Sequence, residues 1–364
     1  MDHQPASIDF AFIGHQESWS MIMQIINQMR RKESLPSLSL STVMDLYSFI
    51  PPRVLFELEF KSLLGQTVKG VYIESFIPPS DHGASLIQKN SQRVRDACQL
   101  AASLGAGIVA LGGQTSILLE NTGLTCRSIG KTFFTTGNTL TAAMIVRSIE
   151  SAISKLSISL RNSKVLIIGS TGDIGSACAR YFAGKVRCLL LNARREYPLR
   201  TQEMHIKSGG HCAKSSIHLE ELLPEADIII SVTSSEIDIS MMNKIAPGAM
   251  ILDAGYPKNL KGTFGENGLR VIDGGLGFVS GGFCTIPRFY KSMYSFARAG
   301  LAHGCLLEAV VLALEKRFET FSAGRGNIRL ESMEEINKMA EKHGIIPGPP
   351  WREGISRWSM TDGR

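Results

Sequence analysis

Apolar residues fall along the chain in two patterns. Short continuous runs, several ending at glycine, predict buried strands: Ile8–Gly14, Gly107–Leu111, Val165–Ile168, Val186–Leu191, Asp227–Val232, Ala249–Ala254 and Leu269–Ile272. Val54–Phe60 and Val68–Ile73, joined through Gly65, predict a hairpin. Other stretches carry the helical period. One follows Ser18, a candidate N-cap, to about Met29; others cover Ser85–Leu104, Leu140–Leu156, Ser176–Phe182 and Ser332–His343. Leu307, Val310, Val311, Leu314 and Phe318 predict one more, with Glu315, Lys316 and Arg317 facing outward. Strands alternating with helices predict an α/β protein with a doubly wound parallel sheet, an N-terminal α/β substrate domain and C-terminal helices. The expected boundaries are 1–139, 140–285 and 286–364.

The middle segment centres on Lys164–Asn192, KVLIIGSTGDIGSACARYFAGKVRCLLLN. Gly169, Gly172 and Gly175 separate a strand from a helix, and a second strand ends at Asn192. This is the opening βαβ unit of a dinucleotide-binding (Rossmann) fold, whose glycines permit a tight turn and close approach of a pyrophosphate to a helix N-terminus. The second strand ends without a carboxylate. Asn192, Arg194 and Arg195 stand there instead, and guanidinium groups suit a ribose 2′-phosphate, so NADPH is the expected cofactor. A solvated loop is the alternative for the arginines. Gly274, Gly275, Gly277, Gly281 and Gly282 follow the last strand, where a nicotinamide ring is expected.

Composition narrows the class. The 364 residues are 44% hydrophobic and 20% charged, a globular profile. The net charge of +6 comes without a basic block interleaved with aromatics, so nucleic acid is not an expected partner. Glu308 interrupts the longest apolar candidate, so no transmembrane segment is expected, and the N-terminus lacks the pattern of a secretory leader. A cytoplasmic protein is the expectation. The seven cysteines are scattered without a C-x-x-C pair, which predicts reduced thiols and no metal site.

Cys305 opens the apolar helix behind His303 and Gly304. A thiol in the first helical turn is expected to ionise more readily, and beside a nicotinamide it suggests acyl transfer followed by hydride transfer. A core-filling thiol is the alternative. His303 is a candidate to orient or deprotonate it. Tyr72 and Glu74 end a strand, where polar groups often face a site. The polar cluster Thr135–Asn138 either binds a carboxyl or amide group or caps a helix.

Taken together, IGH at Ile13–His15, VYIES at Val71–Ser75, ALGGQTSILLEN at Ala110–Asn121, FTTGNTLTA at Phe134–Ala142, GSTGDIGSA at Gly169–Ala177, NAR at Asn192–Arg194, LPEAD at Leu223–Asp227, DAGYPKNL at Asp253–Leu260 and FSAGRGNI at Phe321–Ile328 resemble the long-chain fatty acyl–acyl carrier protein reductases of cyanobacteria. The resemblance implies an NADPH-dependent reductase that turns an acyl thioester into an aldehyde through a cysteine acyl-enzyme. It puts the nucleophile on Cys305 and makes the N-terminal domain acyl-binding. The nucleotide loop falls on Gly169, Thr171, Gly172, Asp173, Ile174 and Gly175, with Arg194 at the adenosine end and Gly274 in the later glycine loop. An acidic acyl carrier protein becomes the expected donor, steered by the basic surface, and an aldehyde-consuming enzyme a possible partner.

Gly275–Ala302 departs from the family, and its Phe283, Phe289, Tyr290, Tyr294 and Phe296 are candidates to line an altered acyl pocket. Two other functions stay open. One is a shikimate-dehydrogenase-like ketone reductase without a covalent step. The other is a non-catalytic NADP-binding partner of a carrier or an aldehyde-consuming enzyme.

Overall fold

The computed structural model describes residues 8–16, 18–47, 49–79, 84–121, 127–233, 237, 239–255, 258, 270–286 and 299–349. It divides into two compact units. The first takes the chain through Leu140, then Gly277–Arg325 and Glu335–Ile346; the second takes Thr141–Leu276, Gly326–Glu334 and the chain from Pro347.

In chain order the first unit supplies β1 (Phe10–Gly14), α1 (Trp19–Lys32), α2 (Leu40–Tyr47), β2 (Arg53–Lys61), β3 (Thr67–Glu74), α3 (Ala84–Ser103), β4 (Ile108–Leu111), α4 (Gln114–Asn121), β5 (Ser128–Ile129) and β6 (Thr132–Thr135). Helix α5 (Asn138–Leu156) begins in it and continues in the second unit. The second unit adds β7 (Lys164–Ile168), α6 (Asp173–Phe182), β8 (Cys188–Asn192), α7 (Glu196–Ser208), β9 (Ala213–Ser216), β10 (Ile228–Ser231), β11 (Met250–Asp253) and β12 (Arg270–Asp273). The last elements are β13 (Leu276–Val279), β14 (Phe283–Ile286), β15 (Leu301–His303), α8 (Gly304–Leu314), α9 (Leu330–Lys342) and β16 (Ile345–Pro347).

The first unit is built on a sheet of order β14-β2-β3-β1-β4-β6-β5. Strands β3, β1, β4 and β6 run parallel. The expected hairpin is present: β2 and β3 pair antiparallel, and Gly65 turns between them at φ +82°. One face of this sheet offers Ala11, Ile13, Val71, Ile73, Val109 and Leu111 to Val94, Ala97, Cys98 and Ala101 of α3. Helix α8 packs against β4, β1 and β3. Its Leu306, Leu307, Val310 and Val311 are wholly buried, each worth about 1.5–3 kcal/mol. That packing is why 277–325 joins the first unit instead of forming part of a separate C-terminal segment. The helix stops at Leu314, earlier than the apolar spacing through Phe318 suggests, because Lys316 turns left-handed at φ +54°. Helix α2 falls in a stretch for which the apolar pattern predicts no element. Its Val43 and Tyr47 join Ile22 of α1 and Phe76 in a small second core.

The second unit holds a wholly parallel sheet of order β12-β11-β10-β7-β8-β9, so its connections reverse beside β7. That is the Rossmann order expected from the sequence. One expectation fails here. Cys188 and Cys212 are not free thiols but a disulfide, with Cα atoms 4.6 Å apart. Parallel pairing sets Leu189 opposite Ala213, which brings the two preceding residues face to face; no local spacing in the sequence announces it.

Phe289, Tyr290, Tyr294 and Phe296 lie outside the described residues. Phe283 stacks on Phe60 with ring centroids 4.6 Å apart at the sheet edge. Among the described residues, no helix is long and apolar enough to cross a membrane.

Candidate active site

Four strands of the first unit end at one edge of their sheet. Strand β3 ends in Glu74, β1 leads into His15 and Gln16, β4 into Gly112, Gly113 and Gln114, and β6 into Thr136 and Gly137. From β1 the chain moves to β3 on one side and later to β4 on the other, so the crevice between β1 and β4 is a topological switch point. Such crevices are where open α/β sheets bind ligands.

Glu74 is wholly buried there. Its carboxylate accepts from Gln16 Nε2 at 2.7 Å, Tyr72 OH at 3.1 Å and the Phe76 backbone N–H at 3.1 Å. Burial pushes the carboxyl up to about 7, although these donors and Tyr47 act against the rise. The Tyr72 ring stacks on Phe56 at 4.7 Å and lies over Gly14, where a Cβ would stand 2.5 Å from the phenol oxygen. Phe76 holds φ +54°, a conformation that costs a bulky residue energy and that clusters at functional sites.

His15 links this group to the glycine turn after β4. The backbone N–H of Gln114 donates to His15 Nε2 at 3.0 Å, so Nε2 carries no proton. The ring hydrogen then sits on Nδ1, 3.1 Å from the Gln16 carbonyl. The next residue back, Gly113, takes φ +58°. Hydrogen bonds thus run from Glu74 through Gln16 and His15 to the glycine turn.

Cys305 stands in the first turn of α8, as the sequence suggested, but its thiol is not acidic. Burial pushes it up to about 12. The backbone N–H groups of Leu306, Cys305 itself and Gly113 favour the thiolate, whereas the charge of Glu308 opposes it. The expectation of a lowered value fails because protein crowds the sulfur, and desolvation outweighs the helix terminus. The residue still keeps some accessible surface. Gly137, at φ +72°, lies on it: a Cβ there would come within 2.3 Å of the Cys305 Cα. His303 is the N-cap residue of α8, and its side chain does not cap the helix.

Glu308 follows one turn after Cys305 and is wholly buried. Its carboxylate accepts from the Thr135 hydroxyl, from Ser322 Oγ at 2.7 Å and from the Leu140 backbone N–H at 2.9 Å. Ser322 also meets Thr139 Oγ1 at 2.6 Å, and its N–H donates to Thr135 Oγ1 at 3.0 Å. The polar centre of FTTGNT therefore serves a buried carboxylate. Sequence reasoning missed His15, Gln16, Gly113 and Glu308. A single acid inside an otherwise apolar helix was the available signal for the last.

In the second unit the nucleotide turn has the shape its glycines predict. Gly169 takes φ +86°, and its N–H and that of Ser170 both reach the Asn192 carbonyl. Gly172 is the N-cap of α6, and a Cβ on Gly175 would stand 2.2 Å from the Gly169 oxygen. The turn thereby brings the N-terminal end of α6, where backbone N–H groups point out of the helix, against the glycines, so these residues fit a dinucleotide. Asp173 of the same turn accepts from the Gly326 N–H at 2.8 Å. Asn192 is buried and donates to the Ser216 carbonyl at 2.9 Å, tying β8 to β9, while Arg194 and Arg195 are exposed just beyond. Thr171 and Ile174 lie in the turn and its helix start. Gly274 closes β12, where a Cβ would collide with Leu252 at 2.1 Å.

The chain is 32% identical over 350 residues to the long-chain acyl-[acyl-carrier-protein] reductase of Synechococcus elongatus, an alignment covering 93% of this chain and 98% of that one. The chain belongs to that reductase family. It is a nicotinamide-dependent reductase on a Rossmann fold. It is also 28% identical over 251 residues to aminotransferase PigE of a Serratia species, covering 67% of this chain and 28% of that protein. Among solved structures, L-tryptophan dehydrogenase from Nostoc punctiforme aligns over 94% of this chain and 82% of that one at 10% identity with a TM-score of 0.40, too loose to inform function. No family model matches the chain.

Proposed function

We propose that the protein reduces an acyl thioester, carried by acyl carrier protein or coenzyme A, to an aldehyde, with Cys305 as the acyl-carrying nucleophile and NADPH as reductant. The observation that supports this most is the setting of Cys305. It lies at a helix start, packed against Gly137 at the carboxyl ends of parallel strands. The family relationship supports the same substrate class. The Cys305 sulfur attacks the thioester carbon; the new C–S bond forms as the bond to the carrier breaks, and the departing thiolate takes up the proton that Cys305 releases. Bound NADPH supplies the hydride that converts the acyl group into an aldehyde and frees the sulfur. The first turn of α8 presents backbone N–H groups toward the charge that develops, and Gly137 keeps the backbone close beside it. The absence of an acid at the end of β8, with Arg194 and Arg195 exposed there, supports NADPH over NADH.

Intact-protein mass spectrometry after mixing with an acyl thioester, without NADPH, tests this directly. One acyl mass should appear, be removed by hydroxylamine and map to the Cys305 peptide. Cys305→Ala should form neither adduct nor aldehyde while still binding NADPH. Full activity in Cys305→Ala would instead favour a ketone reductase that needs no covalent step.

A further inference from the structure

We propose that the Cys188–Cys212 bond is a thiol–disulfide switch on cofactor affinity: closed, it clamps the outer edge of the second unit's sheet and NADPH binds tightly; opened by a dithiol, it lets β9 and α7 loosen and NADPH binds more weakly. This rests on NADPH being the cofactor of that unit. The bond joins residues 24 apart in sequence. The loop it closes carries Asn192, Arg194 and Arg195, the residues assigned to the adenosine end, and the whole of α7.

Strand β9 is the edge of that sheet and pairs with β8. Ala213 is its one apolar residue. Helix α7 buries Leu199 and Ile206, while Tyr197 and Met204 are exposed. The helix is tied to β9: Glu203 accepts from Ser215 Oγ, Arg200 Nη1 donates to the Ser215 carbonyl at 3.3 Å, and the His211 N–H donates to the Ile206 carbonyl at 3.3 Å. It backs the cofactor site at two places. Arg195 is its N-cap residue, and Gln202 Nε2 donates to the Ser170 carbonyl of the nucleotide turn at 2.9 Å. An edge with so few apolar anchors has low local stability, so its ties decide how often it opens. Beyond the strand ladder, Asn192 Nδ2 fastens β9 at the Ser216 carbonyl, and the disulfide fastens the opposite end.

Accessibility makes the second tie reversible. Cys188 is buried, whereas Cys212 is exposed, so an incoming thiolate reaches Cys212. It attacks that sulfur; the S–S bond breaks, and its electron pair leaves on Cys188, which takes up a proton. The second thiol of the reagent, as thiolate, then attacks the mixed disulfide and releases Cys212. The cystine is reduced to two thiols, and the dithiol is oxidised to its own disulfide. With the clamp open, β9 and α7 leave β8 part of the time, and Arg194, Arg195 and Ser170 then lose their backing. Affinity for NADPH falls to the attached fraction of its closed value. By linkage, bound NADPH holds the bond closed by the same factor. A staple that served stability alone would show neither effect.

The test equilibrates wild type and Cys212→Ser with reduced or oxidised dithiothreitol. It reads thiol labelling of Cys188 and Cys212, NADPH affinity, and hydrogen exchange over α7 and β9. Oxidised wild type should bind NADPH about three- to tenfold more tightly than reduced, an attached fraction of about a third to a tenth. Exchange over α7 and β9 should rise on reduction. Saturating NADPH should raise, by the same factor, the ratio of reduced to oxidised dithiothreitol that opens half of the bonds. Cys212→Ser should bind NADPH as reduced wild type does under either condition. Equal affinity in the two redox forms would overturn the proposal. So would Cys188 and Cys212 that stay free under oxidised reagent or bonded under reduced reagent. Redox dependence that persists in Cys212→Ser would place the effect on another thiol and overturn it too. If neither form binds NADPH, the cofactor reading fails and takes the proposal with it; if both bind it equally, only the switch fails.

Discussion

Replacing Glu308 separates two things that its burial combines: it ties three segments together and sets a negative charge one turn from Cys305. Glu308→Ala removes the acceptor for Thr135, Ser322 and the Leu140 N–H. The hydroxyls can turn to each other and to Thr139, whereas the Leu140 N–H is left buried without an acceptor. An orphaned buried donor costs about 1–3 kcal/mol, and the space left by the carboxyethyl group adds to it. A loss of about 2–4 kcal/mol is expected, which lowers Tm by about 5–15 °C for a domain of this size. Glu308→Gln should be far milder. Its amide oxygen can accept from Leu140 while its NH2 donates to Thr135 and Ser322, whose hydroxyl oxygens can accept.

The same amide is uncharged. A carboxylate roughly 6 Å away opposes a thiolate by about 3 kcal/mol at an effective dielectric near 20, up to about a hundredfold in thiolate fraction. A less basic thiolate is also less nucleophilic, which cancels about half of that exponent. Iodoacetamide should therefore modify Cys305 about tenfold faster in Glu308→Gln than in the wild type at neutral pH, with Tm within about 3 °C of it. Thermal melting with peptide-resolved alkylation gives both readings. A Glu308→Ala that melts with the wild type, or a Glu308→Gln whose Cys305 reacts no faster, would refute the reasoning.

Losing one guanidinium–phosphate pair, in Arg194→Ala or Arg195→Ala, should weaken NADPH about ten- to a hundredfold and leave NADH nearly unaffected, because such a pair contributes about 1.5–3 kcal/mol; an NADPH/NADH ratio unchanged in both variants contradicts the assignment. Glu74 gives a pH-dependent stability. Its folded carboxyl rises to about 7 from an ordinary 4.5, so between those values the folded state holds a proton that the unfolded state has lost. Stability contributed by this group is present below 4.5 and is lost as pH rises toward 7, by up to about 3 kcal/mol. Urea unfolding of Glu74→Gln against wild type should show the variant gaining relative stability between pH 4.5 and 7, and parallel curves would exclude it.

Glycines and apolar periodicity made the Rossmann unit legible, because both are local: Gly175 must lack a Cβ to pass Gly169, and Val165–Ile168 must be continuous to be buried in a parallel sheet. The position of Cys305 was legible for the same reason. Its thiol pKa was not, since crowding around the sulfur depends on Gly113 and Gly137, which arrive from other strands. The disulfide was hidden by register, as Cys188 and Cys212 meet only once β8 and β9 pair. Helix α2 was hidden because its apolar arc partly faces solvent: Leu40, Met44 and Leu46 are exposed beside buried Val43 and Tyr47.

Residues of two of the motifs hold the surroundings of Cys305, the proposed nucleophile. In FTTGNT, Thr135 and the chain just after Thr139 bind Glu308, and Gly137 admits the backbone of Cys305. In FSAGRGNI, Ser322 binds the same carboxylate. A buried carboxylate tolerates few rearrangements, because every donor around it must be placed at once. Replacing Thr135 or Ser322 therefore strands a partner in the other motif, and the shared acid lies on the helix that carries Cys305 in its first turn. Ser322→Ala should then behave as a mild form of Glu308→Ala, loosening α8 from the end of β6 and slowing acylation of Cys305, while Arg194 and the glycine turn of the second unit bind cofactor as before.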